Sequence, residues 1–138
     1  MDVIGALRTY LRADTGVSTL AGTNVFGGQL PRSIQESSSG PPTAVVLRRT
    51  GGGSLGQTNN FGDKRVDVDC YGADTKTASD LWDAVYEALK GMGTIVEDEV
   101  LLHWAICVAD GTSGHDPQTT WPVCIGTFQV LAAEVAAL

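Results

Sequence analysis

Apolar side chains recur at helical spacing near the start of the chain. Val3, Ile4, Leu7, Tyr10 and Leu11 share one side, Arg8 and Arg12 the other, and Asp2 stands where it can cap the first turn. This pattern predicts a helix to about Ala13. Thr15 and Gly16 then break it, residues 17–21 allow one further turn, and residues 24–27 read as a short extended piece. Residues 30–43 hold Pro31, Pro41, Pro42 and a Ser-Ser-Ser-Gly run, the composition of a surface loop. Residues 43–50 read as a strand, and residues 64–71 give the clearest strand of all. There Val66, Val68 and Cys70 alternate with Arg65, Asp67, Asp69 and Tyr71, which describes a sheet with one face on a core and one face wet. Between the two strands, residues 51–62 contain five glycines and no apolar period, predicting a long glycine-rich hairpin arm.

Asp74 caps the strongest helical pattern, in which Ala78, Leu81, Trp82, Val85 and Leu89 form one stripe before Gly91 and Gly93. Asp80, Asp83 and Glu87 repel one another on its outer face. An acidic turn at Glu97-Asp98-Glu99 leads to an almost wholly apolar strand over residues 100–109. A polar loop over 110–120 and a last strand over 121–131 follow, and the Ala-rich end is compatible with strand or helical turn. The order predicts one α+β domain over residues 1–138, with no internal repeat. Its sheet is mostly antiparallel and four- to five-stranded, with two helices packed on one face.

Composition narrows the function. Of 138 residues 43% are apolar and 18% charged, so a folded domain and not a solvated coil is expected. A formal charge of −7 disfavours a general nucleic-acid binder. The charge is uneven: residues 1–69 carry seven Lys/Arg and six Asp/Glu, residues 70–138 two and ten. No basic leader with an apolar run is visible at the start, and no apolar stretch approaches the ~20 residues of a membrane span, so a cytosolic chain without a membrane partner is expected. Cys70, Cys107 and Cys124 lie in apolar, strand-like contexts without CxxC spacing, and are expected to be buried free thiols.

Three catalytic or nucleotide-binding motifs match residues 51–58 on paper: G-x-G-x-x-G from Gly51, G-x-S-x-G around Ser54, and a near P-loop with Gln57 in place of the lysine. Each needs a strand, a tight turn and then a helix whose N-terminus faces the ligand or nucleophile. Here Asn59-Asn60-Phe61-Gly62 leads into a strand, so none is adopted and no catalytic residue is assigned. His103 and His115 lack the neighbours of a zinc site, and the acidic turn lacks the pattern of a calcium loop. No metal or cofactor is expected. Arg48, Arg49, Lys64 and Arg65 would meet across the base of the arm. Phosphate binding, a polar subunit interface with the acidic half of a neighbouring copy, and a solvated face all remain open for them.

The succession of segments carries a resemblance. The N-terminal helix leads to Val25-Phe26-Gly27-Gly28-Gln29-Leu30-Pro31-Arg32, then to the proline-preceded Thr43-Ala44-Val45-Val46-Leu47. After the arm come Arg65-Val66-Asp67-Val68-Asp69-Cys70-Tyr71-Gly72 and the Asp74-capped helix. Over residues 1–131 this resembles the tail terminator, or tail completion, proteins of long-tailed bacteriophages and prophages. The resemblance implies a small α/β virion protein, made in the host cytoplasm, that forms a homo-hexameric ring on the head-proximal end of the tail tube. Such a ring stops tube growth, meets the head–tail connector proteins, and lets DNA pass through its lumen without specific binding. It also implies that the arm makes contacts, so the interface residues to test are Arg48, Arg49, Gly53, Ser54, Leu55, Gln57, Asn59, Asn60, Phe61, Lys64 and Arg65. The insert-like loop at 37–42 and the Ala-rich end depart from the family pattern. Alternatives are another neck component (a head-closure or adaptor protein), a small nucleotide-binding domain using the Gly51–Gly56 loop, and a monomeric binding module.

Overall fold

The computed structural model describes residues 2–36, 40–54 and 61–135. Asp2 accepts a hydrogen bond from the Gly5 N–H at 2.9 Å and starts α1 (Val3–Ala13), which buries Val3, Ala6, Leu7 and Leu11. The break expected at Thr15-Gly16 comes one residue earlier. Asp14 is extended there, and its carboxylate accepts from the Val17 N–H at 3.0 Å to start α2 (Thr15–Ala21). A capped seven-residue helix therefore replaces the single turn expected.

The remaining elements are β1 (Val25–Gly27), α3 (Arg32–Gln35), β2 (Ala44–Ser54), β3 (Phe61–Tyr71), α4 (Thr75–Lys90), β4 (Ile95–Glu97), β5 (Val100–His115) and β6 (Pro122–Glu134). Their strands make one six-stranded sheet in the order β1-β2-β3-β6-β5-β4. β1 runs parallel to β2 and every other neighbouring pair is antiparallel. The sheet is thus mixed and larger than the four to five strands expected. β1 and β4 have three residues each, too few to display a period, and they exist through their pairing with β2 and β5.

Two polar stretches also depart from expectation. Residues 110–115 belong to β5, not to a loop: Thr112 pairs with Ile125 and His115 with Pro122, after register shifts that break any alternation. Residues 51–54 and 61–63 are strand as well, so over these residues the hairpin arm is a paired continuation of β2 and β3, and β3 stays paired to β6 as far as Phe61 opposite Ala133. The Ala-rich end continues β6 to Glu134. The acidic turn closes the β4–β5 hairpin, with Asp98 and Glu99 at φ 49° and 64°, the two left-handed positions a two-residue hairpin requires. Thr9 secures it by donating its hydroxyl to Asp98 Oδ2 at 2.6 Å.

Helices α1, α2 and α4 cover one face of the sheet, three helices where two were expected, and α3 lies on the other. The main core joins Leu7, Leu11, Val45, Leu47, Val66, Val68, Leu81 and Phe128. Burial of such side chains contributes about 1.5–3 kcal/mol each. Asp74 caps α4 by accepting from the Thr77 N–H at 2.7 Å, and the stripe foreseen from the sequence is the buried one. Trp82 from that stripe packs on Phe128 with ring centroids 5.5 Å apart, and its Nε1–H donates to Asp110 Oδ1 at 3.0 Å. A Cβ on Gly111 would stand 2.7 Å from both the Trp82 ring and Cys124 Sγ, so only glycine lets the bulged β5 pass this close to the indole. The opposite face carries a smaller cluster of Leu30, Ala44, Val46, Tyr71 and Val123, flanked by Ile34 of α3 and by Trp121. It corrects the expectation of a wet face: Asp69 is 5% exposed and Tyr71 7%.

Candidate functional site

The pairing of β2 with β3 decides where the basic residues go. Arg48 opposes Asp67, Arg49 opposes Val66, and after a register shift Gly51 opposes Arg65 and Gly52 opposes Lys64. The four cations therefore do not meet across the hairpin, as the sequence had suggested. Alternation separates them. Arg49 shares a rung with Val66, and Lys64 one with Val130, both valines of the main core; these two cations belong to the α1/α4 side. Arg48 and Arg65 belong to the α3 side. β1 ends opposite Leu47, so from Arg48 onward β2 is the edge of the sheet. Gly53 and Ser54 are in β2, paired with Asp63 and Gly62, and Phe61 begins β3. Leu55, Gln57, Asn59 and Asn60 lie outside the described residues.

A cleft of about 410 Å³ opens on the α3 side, between β2–β3 and the turn at residues 116–119. Its floor is polar. Arg48 donates from Nη2 to Asp69 Oδ2 at 2.7 Å, and the Tyr71 hydroxyl donates to Asp116 Oδ2 at 2.8 Å. Asp116 Oδ1 accepts from the backbone N–H groups of Gln118 and Thr119 at 2.8 and 3.4 Å, which fixes the turn. Burial pushes the Asp69 carboxyl above its ordinary value; Arg48 opposes this and the charges of Asp67 and Asp116 add to it. Burial, followed by the hydrogen bond to Asp116, likewise raises the Tyr71 hydroxyl. Burial also acts upward on Asp116, but its hydrogen bonds from Tyr71, Gln118 and Thr119 together outweigh that and hold the carboxyl below the ordinary value.

Sequence reasoning missed this cleft. Asp116 is in a turn between β5 and β6, and the alternation in the sequence places Asp69 and Tyr71 on a wet face, so neither position stands out in the sequence alone. An available signal was that both positions share the parity of Val46 in the neighbouring strand, so a second apolar cluster would cover them.

Ser54 sits in a paired strand, and the next described element is β3, so the strand–turn–helix of the three glycine motifs is not formed by residues 51–54 and 61–71. His103 is half-buried where β5 shifts register between Leu102 and Trp104, and His115 is exposed at the end of that strand. Among the described residues no three His, Cys, Asp or Glu side chains converge as metal ligands. Cys70 and Cys124 are buried free thiols opposite each other on β3 and β6, and Cys107 is half-buried. No helix among the described residues is long and apolar enough to cross a membrane.

The model of the family described as tail completion protein gp17 matches residues 5–130. The chain belongs to that family. It is accordingly a structural protein of the bacteriophage tail, and its place is in the virion. A similar solved structure is a chain of the virion of a native gene transfer agent particle. The two are 20% identical, with a TM-score of 0.65 over 95% of this chain and 94% of that one, a likeness of fold. No curated protein matches.

Proposed function

We propose that this tail completion protein forms a ring that caps the head-proximal end of the tail tube, stops addition of tube subunits and offers the surface on which the head connector docks. The observation that carries this reading is the family match across residues 5–130, nearly the whole chain. The shape of the molecule supports it. One broad sheet ends in a hairpin whose β2 strand outruns both β1 and the core, leaving Arg48, Arg49 and Arg65 exposed at the rim. An uneven charge distribution, basic in the first half and acidic in the second, suits a head-to-tail interface between copies, which closes when the rotation allows. The overall negative charge suits a lumen that DNA traverses without sticking, since contacts from Lys and Arg to phosphate are what make DNA binding tight.

Residues 55–61 separate the paired Ser54 and Gly62. Replacing them by an Asn-Gly turn, which closes a two-residue hairpin, tests the arm. The expected outcome is an unchanged unfolding midpoint together with loss of capping, read as tail tubes that keep growing when the variant is added to polymerising tube protein. Tubes of normal length with the shortened arm would remove the arm from the mechanism. Loss of folding would show that those residues serve the domain itself.

A further inference from the structure

The sheet ends on both sides in a strand of three residues. β1 pairs with β2 only from Val45 to Leu47, and β4 pairs with β5 only from Val100 to Leu102. Among the described residues this leaves two long open edges: β2 from Arg48 to Ser54 and β5 from Trp104 to His115. An open edge is a row of backbone N–H and C=O groups able to pair with a further strand. Charges and prolines, the usual guards of an edge, are missing from residues 104–109.

The two edges differ, and they complement each other. Trp104, Ile106 and Val108 belong to neither apolar cluster, and Ile106 is 53% and Val108 44% exposed. Gly51, Gly52 and Gly53 of β2 bring no side chains, which weakens a strand unless a large apolar neighbour covers its backbone. β5 has the cover and β2 the bare backbone. Strand direction agrees. β2 is antiparallel to β3, β3 to β6 and β6 to β5, so β5 runs opposite to β2. Rotating a copy about an axis along the strands keeps directions and faces, so the β2 edge of one copy meets the β5 edge of the next antiparallel. In that direction Arg49 lies toward the exposed Asp110. The bond from Trp82 places Asp110 on the α4 side, to which Arg49 also belongs. Like edges fit less well. Two β2 edges bring the Arg48–Arg49 pairs of both copies onto one short seam, where like charges repel. Two β5 edges close on themselves after a single contact, and no ring follows.

We propose that β2 residues 48–54 of one copy pair as an antiparallel strand with β5 residues 104–110 of the next, joining the sheets of neighbouring subunits into one. The inference rests on the ring reading above and supplies its subunit contact. Cys107 is a reporter built into the β5 edge. It shares a rung with Phe128, and Gly52 shares one with Lys64, so both positions are on the α1/α4 side. In the concentrated full chain, mild oxidation of Gly52→Cys gives disulfide-linked pairs that join position 52 to Cys107, read by peptide mass spectrometry. Wild type gives no pairs, and neither does Gly52→Cys combined with Cys107→Ala. Linked wild-type copies would mean that β5 edges meet each other, and links between two copies of position 52 that β2 edges do. Either result, or no linked pairs from Gly52→Cys at its highest soluble concentration, overturns the proposal. Sedimentation velocity without oxidant supplies a second reading. Ile106→Lys puts a charge on the β5 edge and lowers association by about tenfold or more, the loss expected at a central contact position. Arg8→Glu, on exposed α1, leaves it unchanged. Unaltered association in Ile106→Lys, or an equal loss in Arg8→Glu, also overturns the proposal. Tube capping assayed in parallel separates the two ideas. Normal capping by Ile106→Lys removes this contact and leaves the cap, whereas copies that link position 52 to Cys107 but never halt tube growth remove the cap and leave the contact.

Discussion

On the side of α1, α2 and α4 the sheet is dry, with Leu47, Val66, Val68, Phe128 and Val130 meeting Leu7, Leu11, Leu81 and Trp82. On the side of α3 the same strands present a five-residue apolar cluster, an Arg48–Asp69 ion pair and a Tyr71–Asp116 hydrogen bond around an open cleft. The first face is almost wholly apolar, and Arg12 Nε of α1 is a buried polar atom on that side without a partner among the described residues. The second leaves Asp69 Oδ1 without a partner among the described residues and Ile125 at the surface. One sheet thus combines two kinds of packing: non-directional burial on one side, and on the other a small apolar cluster with directional polar pairs around an open cleft.

The largest effect that can break this comparison is a truncation in the dry face. Phe128 is 1% exposed and touches the rings of Trp82 and Tyr86, at 5.5 and 6.2 Å between centroids. Phe128→Ala removes all of that packing and leaves a cavity, so a loss of about 3–5 kcal/mol is expected in urea unfolding. Tyr71→Phe keeps the ring and removes only the hydroxyl bond to Asp116, for which about 1–2 kcal/mol is expected. The reverse order would mean that the α3 side, not the helical core, holds the domain together.

The dry face was the more legible of the two. Periodicity foretold the stripes of α1 and α4 and the inward row Val66, Val68, Cys70, because a buried face writes its period directly into the choice of side chains. Asp2 and Asp74 announced their helices for the same local reason: a carboxylate satisfies otherwise free N–H groups. The α3 side left little trace. Its cluster joins Leu30, Val46, Tyr71 and Val123, residues far apart in sequence and brought together only by strand order. The polar half of β5 carries bulges, which erase the two-residue period. A four-residue helix such as α3 and three-residue strands such as β1 and β4 are too short to have a period at all. The basic residues are visible in the sequence, but which of them share a face is set by strand alternation and by a register that shifts between Arg49 and Gly51.

A smaller effect sharpens the comparison through pH. Asp69 has a raised carboxyl in the folded protein and Asp116 a lowered one, both relative to an ordinary value of 3.8. The folded state holds the Asp69 proton more tightly than the unfolded chain does. Stability from this group is therefore greatest at low pH and declines as pH rises from 3.8 through the raised value. Asp116 behaves in the opposite sense: its contribution is present above 3.8 and is lost as pH falls through the lowered value. Asp69→Asn should remove the decline above 3.8 and leave the loss below it, as read from denaturant midpoints across the acid range. An unchanged profile would mean that Asp69 is not desolvated in solution.

The smallest effect is expected where the sheet shows apolar side chains to water. Ile106 is 53% exposed and pairs with Gln129, next to the buried rung of Cys107 and Phe128. Its neighbours along the strand alternate inward, so its own side chain has little to lose. Ile106→Ser is expected to change unfolding free energy by no more than about 0.5 kcal/mol, the usual range for a surface position without special partners. A loss comparable with that of Phe128→Ala would show that something covers this strand in the free protein, and that the division between a self-sufficient face and an open one does not extend to β5. A near-zero change, beside a large one at the next position of the partner strand, is what a sheet with one committed and one uncommitted face requires.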